Sequence, residues 1–177
     1  MTENVPAFLL EGCAFDPLLE DPVARARLVE AVERGLVTVL VTALTYQDLQ
    51  AIKDVDRRNR LLALVEELAP QMTGLPAVLV DPDAKRARPT YPGTIYPVGE
   101  ESAELLHRLG VSQRADARQA VAAHWAGTAL VTDDEALVRR SQAEGISAMT
   151  TPDFSATIDR LLATKTPGVD QPAGQET

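Results

Sequence analysis

The chain has very little cysteine and histidine. Its single cysteine, Cys13, cannot form an internal disulfide, which suits a reducing compartment such as the cytoplasm. With only His107 and His124 beside it, no Cys/His set has zinc-site spacing, and neither histidine belongs to an H-E-x-x-H pattern. Glycine-rich phosphate loops of the P-loop or G-x-G-x-x-G kind are missing too. No apolar run approaches the ~20 residues of a membrane span. The first residues lack the basic region and cleavage-type segment of a secretory signal, so a cytoplasmic protein is expected. Positive charge is the scarcer sign: 17 Lys and Arg against 26 Asp and Glu leave a formal charge of −9. Broad, non-specific nucleic-acid binding needs basic surface and is therefore excluded as a bulk property, although local basic patches can still serve. There is no internal repeat.

The length and apolar content that are present, 177 residues and 45%, suit one domain with a real core. Ala7–Leu10 reads as a short buried strand that opens at Glu11-Gly12. Asp21-Pro22 is a sharp helix start, with Asp as N-cap and Pro at the first helical position, and Gly35 is its stop. Leu36–Thr42 is β-branched and reads as a second strand, followed by a helix capped by Thr42 or Thr45 that bears Asp48. A further helix covers Arg57–Leu68. Residues 75–98 are proline-rich and break the pattern, predicting a short strand plus an irregular loop or hairpin. Helices then follow at Glu101–Leu109, Ala115–Ala126, Glu135–Glu144 and about Asp153–Ala163, with strands at Ala129–Thr132 and Ile146–Met149. Strands separated by helices predict an α/β domain over residues 1–163, with a central, mostly parallel sheet flanked by helices. Residues 164–177 lack periodicity and read as a disordered tail.

In such folds ligands bind beyond the carboxyl ends of the strands. Glu11 follows the first strand, and Asp133 and Asp134 follow the ALVT strand. Asp48 and Asp116 lie early in helices that start on the same side of the sheet. Taken singly, each acid reads as a helix cap or a solvated charge, as Asp21 and Asp153 do. Together, acids from four segments converge on one edge, where mutual repulsion calls for compensation. Carboxylates suit Mg²⁺ or Mn²⁺, ions that activate water and stabilise phosphoryl displacement.

The run ADARQAVAAHWAGTALVTDDEAL, followed by a helix, Gly145, ISAMTTPDF and a last helix, resembles the C-terminal half of a PIN domain. The N-terminal half is similar as well: a strand ending in an acid, a helix closed by ERG, a strand ending VT, and a helix bearing an acid. The resemblance covers about residues 7–163 and is nearest to the VapC-like toxins. It implies a three-layer PIN-like fold and an Mg²⁺- or Mn²⁺-dependent endoribonuclease that hydrolyses RNA phosphodiesters. It also implies homodimers and a cognate antitoxin. Carried over, the catalytic acids are Glu11, Asp48, Asp116 and Asp134, with the metal held by Glu11, Asp116 and Asp134 and with Asp133 as an accessory. Two positions depart from the pattern: Glu11-Gly12 stands where Asp followed by Thr or Ser is usual, and Asp48 stands where Glu is usual. These departures open a second reading, a PIN-like RNA-binding or protein-interaction module with impaired chemistry.

Other motifs have their own readings. Lys85, Arg86, Arg88, Tyr91 and Tyr96 can hold an RNA backbone and stack on bases, and Arg114 and Arg118 flank Asp116. Arg57, Arg58 and Arg60 read as a solvated face. Asp16 is an outside candidate to assist Glu11. AVLVDPDAK, with Asp81 and Asp83, resembles the Asp-x-Asp of a haloacid-dehalogenase-like phosphatase, though Asp81-Pro82 also reads as a turn. Cys13 is expected to be a small buried apolar residue. His124 and Trp125 are expected to pack and to complement the end of their helix.

Overall fold

The computed structural model describes residues 5–73, 75–77, 95–97, 100–109 and 114–164. Five strands form one sheet in the order β3-β2-β1-β6-β7, all parallel: β1 (Ala7–Leu10), β2 (Thr38–Val41), β3 (Gln71–Met72), β6 (Ala129–Val131) and β7 (Ala148–Met149). The helices are α1 (Phe15–Glu20), α2 (Pro22–Glu33), α3 (Ala43–Gln50), α4 (Val55–Leu68), α5 (Glu100–Leu109), α6 (Arg114–Ala126), α7 (Glu135–Ala143) and α8 (Thr151–Thr164).

Strand alternation sorts the core into two layers. Phe8, Leu10, Val39, Val41 and Val131 pack with Phe15, Leu28, Leu61, Leu64 and Phe154 on one face. Leu9, Leu40 and Leu130 pack with Leu109, Ala120, Val121 and Leu137 on the other. Each central strand is thus buried on both sides, as a parallel sheet between helical layers requires. The result is the expected three-layer α/β fold.

The helix punctuation follows the local chemistry. Asp21 caps α2 by accepting from the amides of Val23 and Ala24, both at 3.0 Å, with Pro22 at the first position. Gly35 adopts φ +64 just past its end, where a side chain would be strained. Thr42 caps α3 through the Thr45 amide. Asp54 caps α4, so that helix starts at Val55, two residues before the basic run.

Several expectations are corrected. The strand at 36–42 is confined to Thr38–Val41, and β3 is an extra, exposed edge strand. A second two-stranded sheet joins β4 (Leu75–Ala77) to β5 (Ile95–Pro97) in parallel, so these are not the arms of a hairpin, which would be antiparallel. The rest of that loop, 78–94, and the tail beyond Thr164 lie outside the described residues, with Asp81, Asp83, Lys85, Arg86, Arg88 and Tyr91 among them. Asp16 does not assist Glu11; it takes a two-point ion pair from Arg57, at 2.5 and 3.0 Å. Trp125 is 62% exposed, with His124 set edge-on to it, so it does not pack into the core. Among the described residues no helix is long and apolar enough to cross a membrane.

Candidate active site

The strand order creates a switch point. β1 has β2 on one side and β6 on the other, so the connections leaving β1 and β6 diverge and open a crevice at their carboxyl ends. Glu11 is the first residue past β1, and its amide donates to the Val131 carbonyl of β6 at 3.0 Å. Thr132, Asp133 and Asp134 are the first residues past β6.

Glu11 is buried at 6% exposure, unusual for a carboxylate. Thr132 and Cys13 hydrogen-bond to it, the thiol donating at 3.5 Å, and Asp116 lies within hydrogen-bonding reach. Burial, and then the charge of Asp116, push Glu11 up from an ordinary 4.5 to about 7. Asp48 is also raised, first by burial and then by Asp116. Asp116, from the first turn of α6, thus acts electrostatically on acids from two other elements. Glu11, Asp48 and Asp116 therefore form one electrostatic group.

Gly12 is part of this geometry. A Cβ built there would lie 3.3 Å from the Asp48 Cβ and 3.8 Å from its Oδ2. The missing side chain lets α3 bring a short acid close to the turn after β1. The two departures from the resembled pattern, at Gly12 and Asp48, are in contact with each other.

The acid pair after β6 is differently engaged. Asp134 Oδ1 accepts from the amides of Ala136 and Leu137, at 2.8 and 3.0 Å, as the N-cap of α7. Asp133 Oδ1 accepts from the Thr151 amide at 3.0 Å and ties the start of α8 to the end of β6. Each acid thus commits one oxygen to the backbone. Among the described residues, no group of three or more His, Cys, Asp or Glu side chains is arranged to hold a metal ion. The donor chemistry does fit a hard cation: repelling carboxylates, one of them buried.

Cys13 is an exposed residue rather than a core one, yet its sulfur is hemmed in. Sγ lies 3.4 Å from Thr132 Oγ1 and accepts from the Asp133 amide at 3.3 Å. Burial and the neighbouring Glu11 push the thiol up to about 11, so it is not a thiolate nucleophile near neutral pH. Arg118 is half-buried, and desolvation lowers its pKa. For Arg114 and Tyr96 the structure gives the backbone alone.

Sequence reasoning gave Thr42 and Thr45 only as alternative caps and did not single out Gln119. Thr42, Thr45 and Gln119 are all buried and hydrogen-bonded to one another behind the acids. A Thr at a helix start reads as a cap, and a lone Gln in an alanine-rich helix reads as a surface residue. Nothing in the local sequence flags either as buried.

No protein-family model matches the sequence, and no curated protein matches it. Among solved structures, that of PAE2754 from Pyrobaculum aerophilum matches with a TM-score of 0.55 at 14% identity, over 88% of this chain and 97% of that one. A domain of a functionally unknown protein from Methanocaldococcus jannaschii DSM 2661 matches at 16% identity over 82% of this chain and 90% of that one. FitAcB from Neisseria gonorrhoeae matches at 14% identity over 81% and 97%. The TM-score of 0.41 in both cases is too low to carry a structural argument. At such identity the likeness to PAE2754 bears on architecture alone. The chain has a PIN-like, three-layer α/β fold.

Proposed function

We propose that this chain is a metal-dependent endoribonuclease, acting as the VapC-like toxins it resembles are expected to act. The observation that carries the reading is the meeting of Glu11, Asp48 and Asp116, from three separate elements, at the switch point of the sheet. Glu11, Asp48, Asp116 and the oxygen of Asp134 not used in capping would hold Mg²⁺ or Mn²⁺. When bound, such an ion supplies charge compensation for the acids and Lewis acidity toward a phosphodiester. The chain's own contribution is placement. Thr132 fixes the Glu11 carboxyl, whose pKa burial and the neighbouring Asp116 raise to about 7. Arg86, Arg88, Tyr91, Arg114 and Arg118 are the residues we assign to the RNA backbone and bases. A homodimer and a small cognate antitoxin are the partners this reading implies.

The test is cleavage of a labelled structured RNA with Mn²⁺ or with EDTA, for the wild type, Asp116→Asn and Asp134→Asn. We expect EDTA to abolish cleavage and Asp116→Asn to reduce it on the order of a hundredfold. Cleavage unaffected by either substitution would sink the proposal.

A second reading has its own support. The capping roles of Asp133 and Asp134, and the absence of a ready three-ligand group among the described residues, favour a PIN-like binding module without chemistry. It predicts RNA or protein binding with no Mn²⁺ uptake by calorimetry, whereas the nuclease reading predicts uptake that Asp116→Asn weakens.

A further inference from the structure

Gln119 lies three residues after Asp116, hence on the same face of α6. It is 1% exposed, and both ends of its amide are used. The Thr42 hydroxyl donates to Gln119 Oε1 at 2.8 Å, and Gln119 Nε2 donates to Thr45 Oγ1 at 3.3 Å. The Thr45 hydroxyl donates onward to the Leu10 carbonyl at 3.2 Å, and its amide donates to Thr42 Oγ1 at 3.4 Å. Thr42 and Thr45 are fully buried. Each of the three side chains is therefore both a donor and an acceptor in this chain of bonds.

Packing alone does not call for such a network. The neighbouring positions Ala117, Ala120 and Val121 are buried and apolar, and an apolar residue at 119 would avoid desolvating an amide. Apolar packing has no direction, however, whereas a closed set of hydrogen bonds fixes its members in one arrangement. The members here belong to the three elements that carry the acids. Leu10 is the residue before Glu11, Thr42 and Thr45 begin the helix of Asp48, and Gln119 belongs to the helix of Asp116.

We propose that Gln119 is a positioning residue that locks the start of α6 to the end of β1 and the N-terminus of α3, and so sets Glu11, Asp48 and Asp116 as one unit. The inference rests on the acid group being the working site of the nuclease reading. The amide supplies one acceptor and one donor to the two hydroxyls. Asparagine is a methylene too short, leucine has neither function, and glutamate replaces the donor with a further acceptor.

The experiment compares Gln119→Leu, Thr45→Val and the double variant with a stability-matched control, Ile158→Val, in α8 on the opposite face of the sheet. Single-turnover and steady-state cleavage of RNA in Mn²⁺ give kcat and KM, and hydrogen exchange followed by mass spectrometry gives local protection. We expect Gln119→Leu to lower kcat by about tenfold or more with KM within about twofold. Thr45→Val is expected to do the same, with the double variant no worse than either single one. The control should keep the wild-type kcat. Wild-type kcat in Gln119→Leu, or a fall no greater than the control shows, overturns the proposal. If the wild type cleaves no RNA, the nuclease reading fails and hydrogen exchange decides. Faster exchange confined to the first turns of α6 and to Glu11 supports positioning, whereas a uniform change like the control's overturns it. If Gln119→Leu does not fold, Thr45→Val, which spares the amide, carries the same comparison.

Discussion

A carboxylate only 6% exposed and beside Asp116 is held in its charged form at a cost, and at Glu11 that cost raises the pKa to about 7. Because this lies above the unfolded value of about 4.5, the folded chain binds more protons in the interval between them. The contribution of Glu11 to stability is intact below about pH 4.5 and is lost as the pH rises through about 7. At about 1.4 kcal/mol per tenfold, the full effect is on the order of 3 kcal/mol. Glu11→Gln, measured by urea denaturation in EDTA, should therefore stabilise the protein near pH 8 and change it little near pH 4.5. A variant equally affected at both ends would show that Glu11 is not buried as an acid. Gly12 makes a related claim on its neighbour. Gly12→Ala gains about 0.4–1 kcal/mol from the unfolded chain, but its Cβ presses on Asp48 at 3.3 Å. Stability should come out near neutral while, on the nuclease reading, RNA cleavage falls, because the displaced group is an acid of the proposed site. Glu11 was legible from its place after a strand, whereas Asp48, expected early in its helix, is the sixth of the eight residues of α3. The close approach of Asp48 to Gly12 was not legible, because it depends on a missing side chain at residue 12 and on how α3 settles against it.

At the scale of elements, the capping role of Asp134 and the metal-binding role proposed for it compete. Its Oδ1 satisfies two amides at the start of α7, so Asp134→Ala should cost about 1 kcal/mol of stability. Asn caps about as well as Asp, so Asp134→Asn should stay within about 0.5 kcal/mol of the wild type. The pair separates two roles. If cleavage falls in both variants while stability falls only in the first, the charge of Asp134 acts in the site; if cleavage follows stability, Asp134 is a cap and nothing more. The helix starts at Asp21-Pro22 and Thr42 were readable because a cap is a local event written in two or three consecutive residues. β3 was not, since Gln71 and Met72 are exposed and two residues show no alternation. The buried network was equally hidden: Thr42 and Gln119 meet across 77 positions of sequence, and only the packing of α6 over β1 brings them together.

Over the whole molecule, the fold closes where the first strand meets the last helix. Phe8 of β1 and Phe154 of α8 pack with ring centroids 5.0 Å apart and planes tilted by 59°, and both are in the core layer opposite α6. Arg27 of α2 pairs with Asp159 of α8 at 2.6 Å, but both side chains are about half exposed, so that link adds little. Stability at this closure therefore rests on the apolar contact. Phe154 is fully buried, and Phe154→Ala removes its ring and leaves a cavity, a change that costs about 3–5 kcal/mol. Set against a typical total of about 5–15 kcal/mol, that loss should move the urea midpoint sharply downward, whereas Asp159→Ala should shift it by about 1 kcal/mol or less. Because α8 and the Gln119 network lie on opposite faces of the sheet, the nuclease reading predicts that Phe154→Ala that remains folded at low temperature retains the cleavage rate of the wild type. A large loss of activity in the folded fraction would mean that the two layers are coupled through the sheet, and that the site is set by the whole core rather than by the bonds behind it.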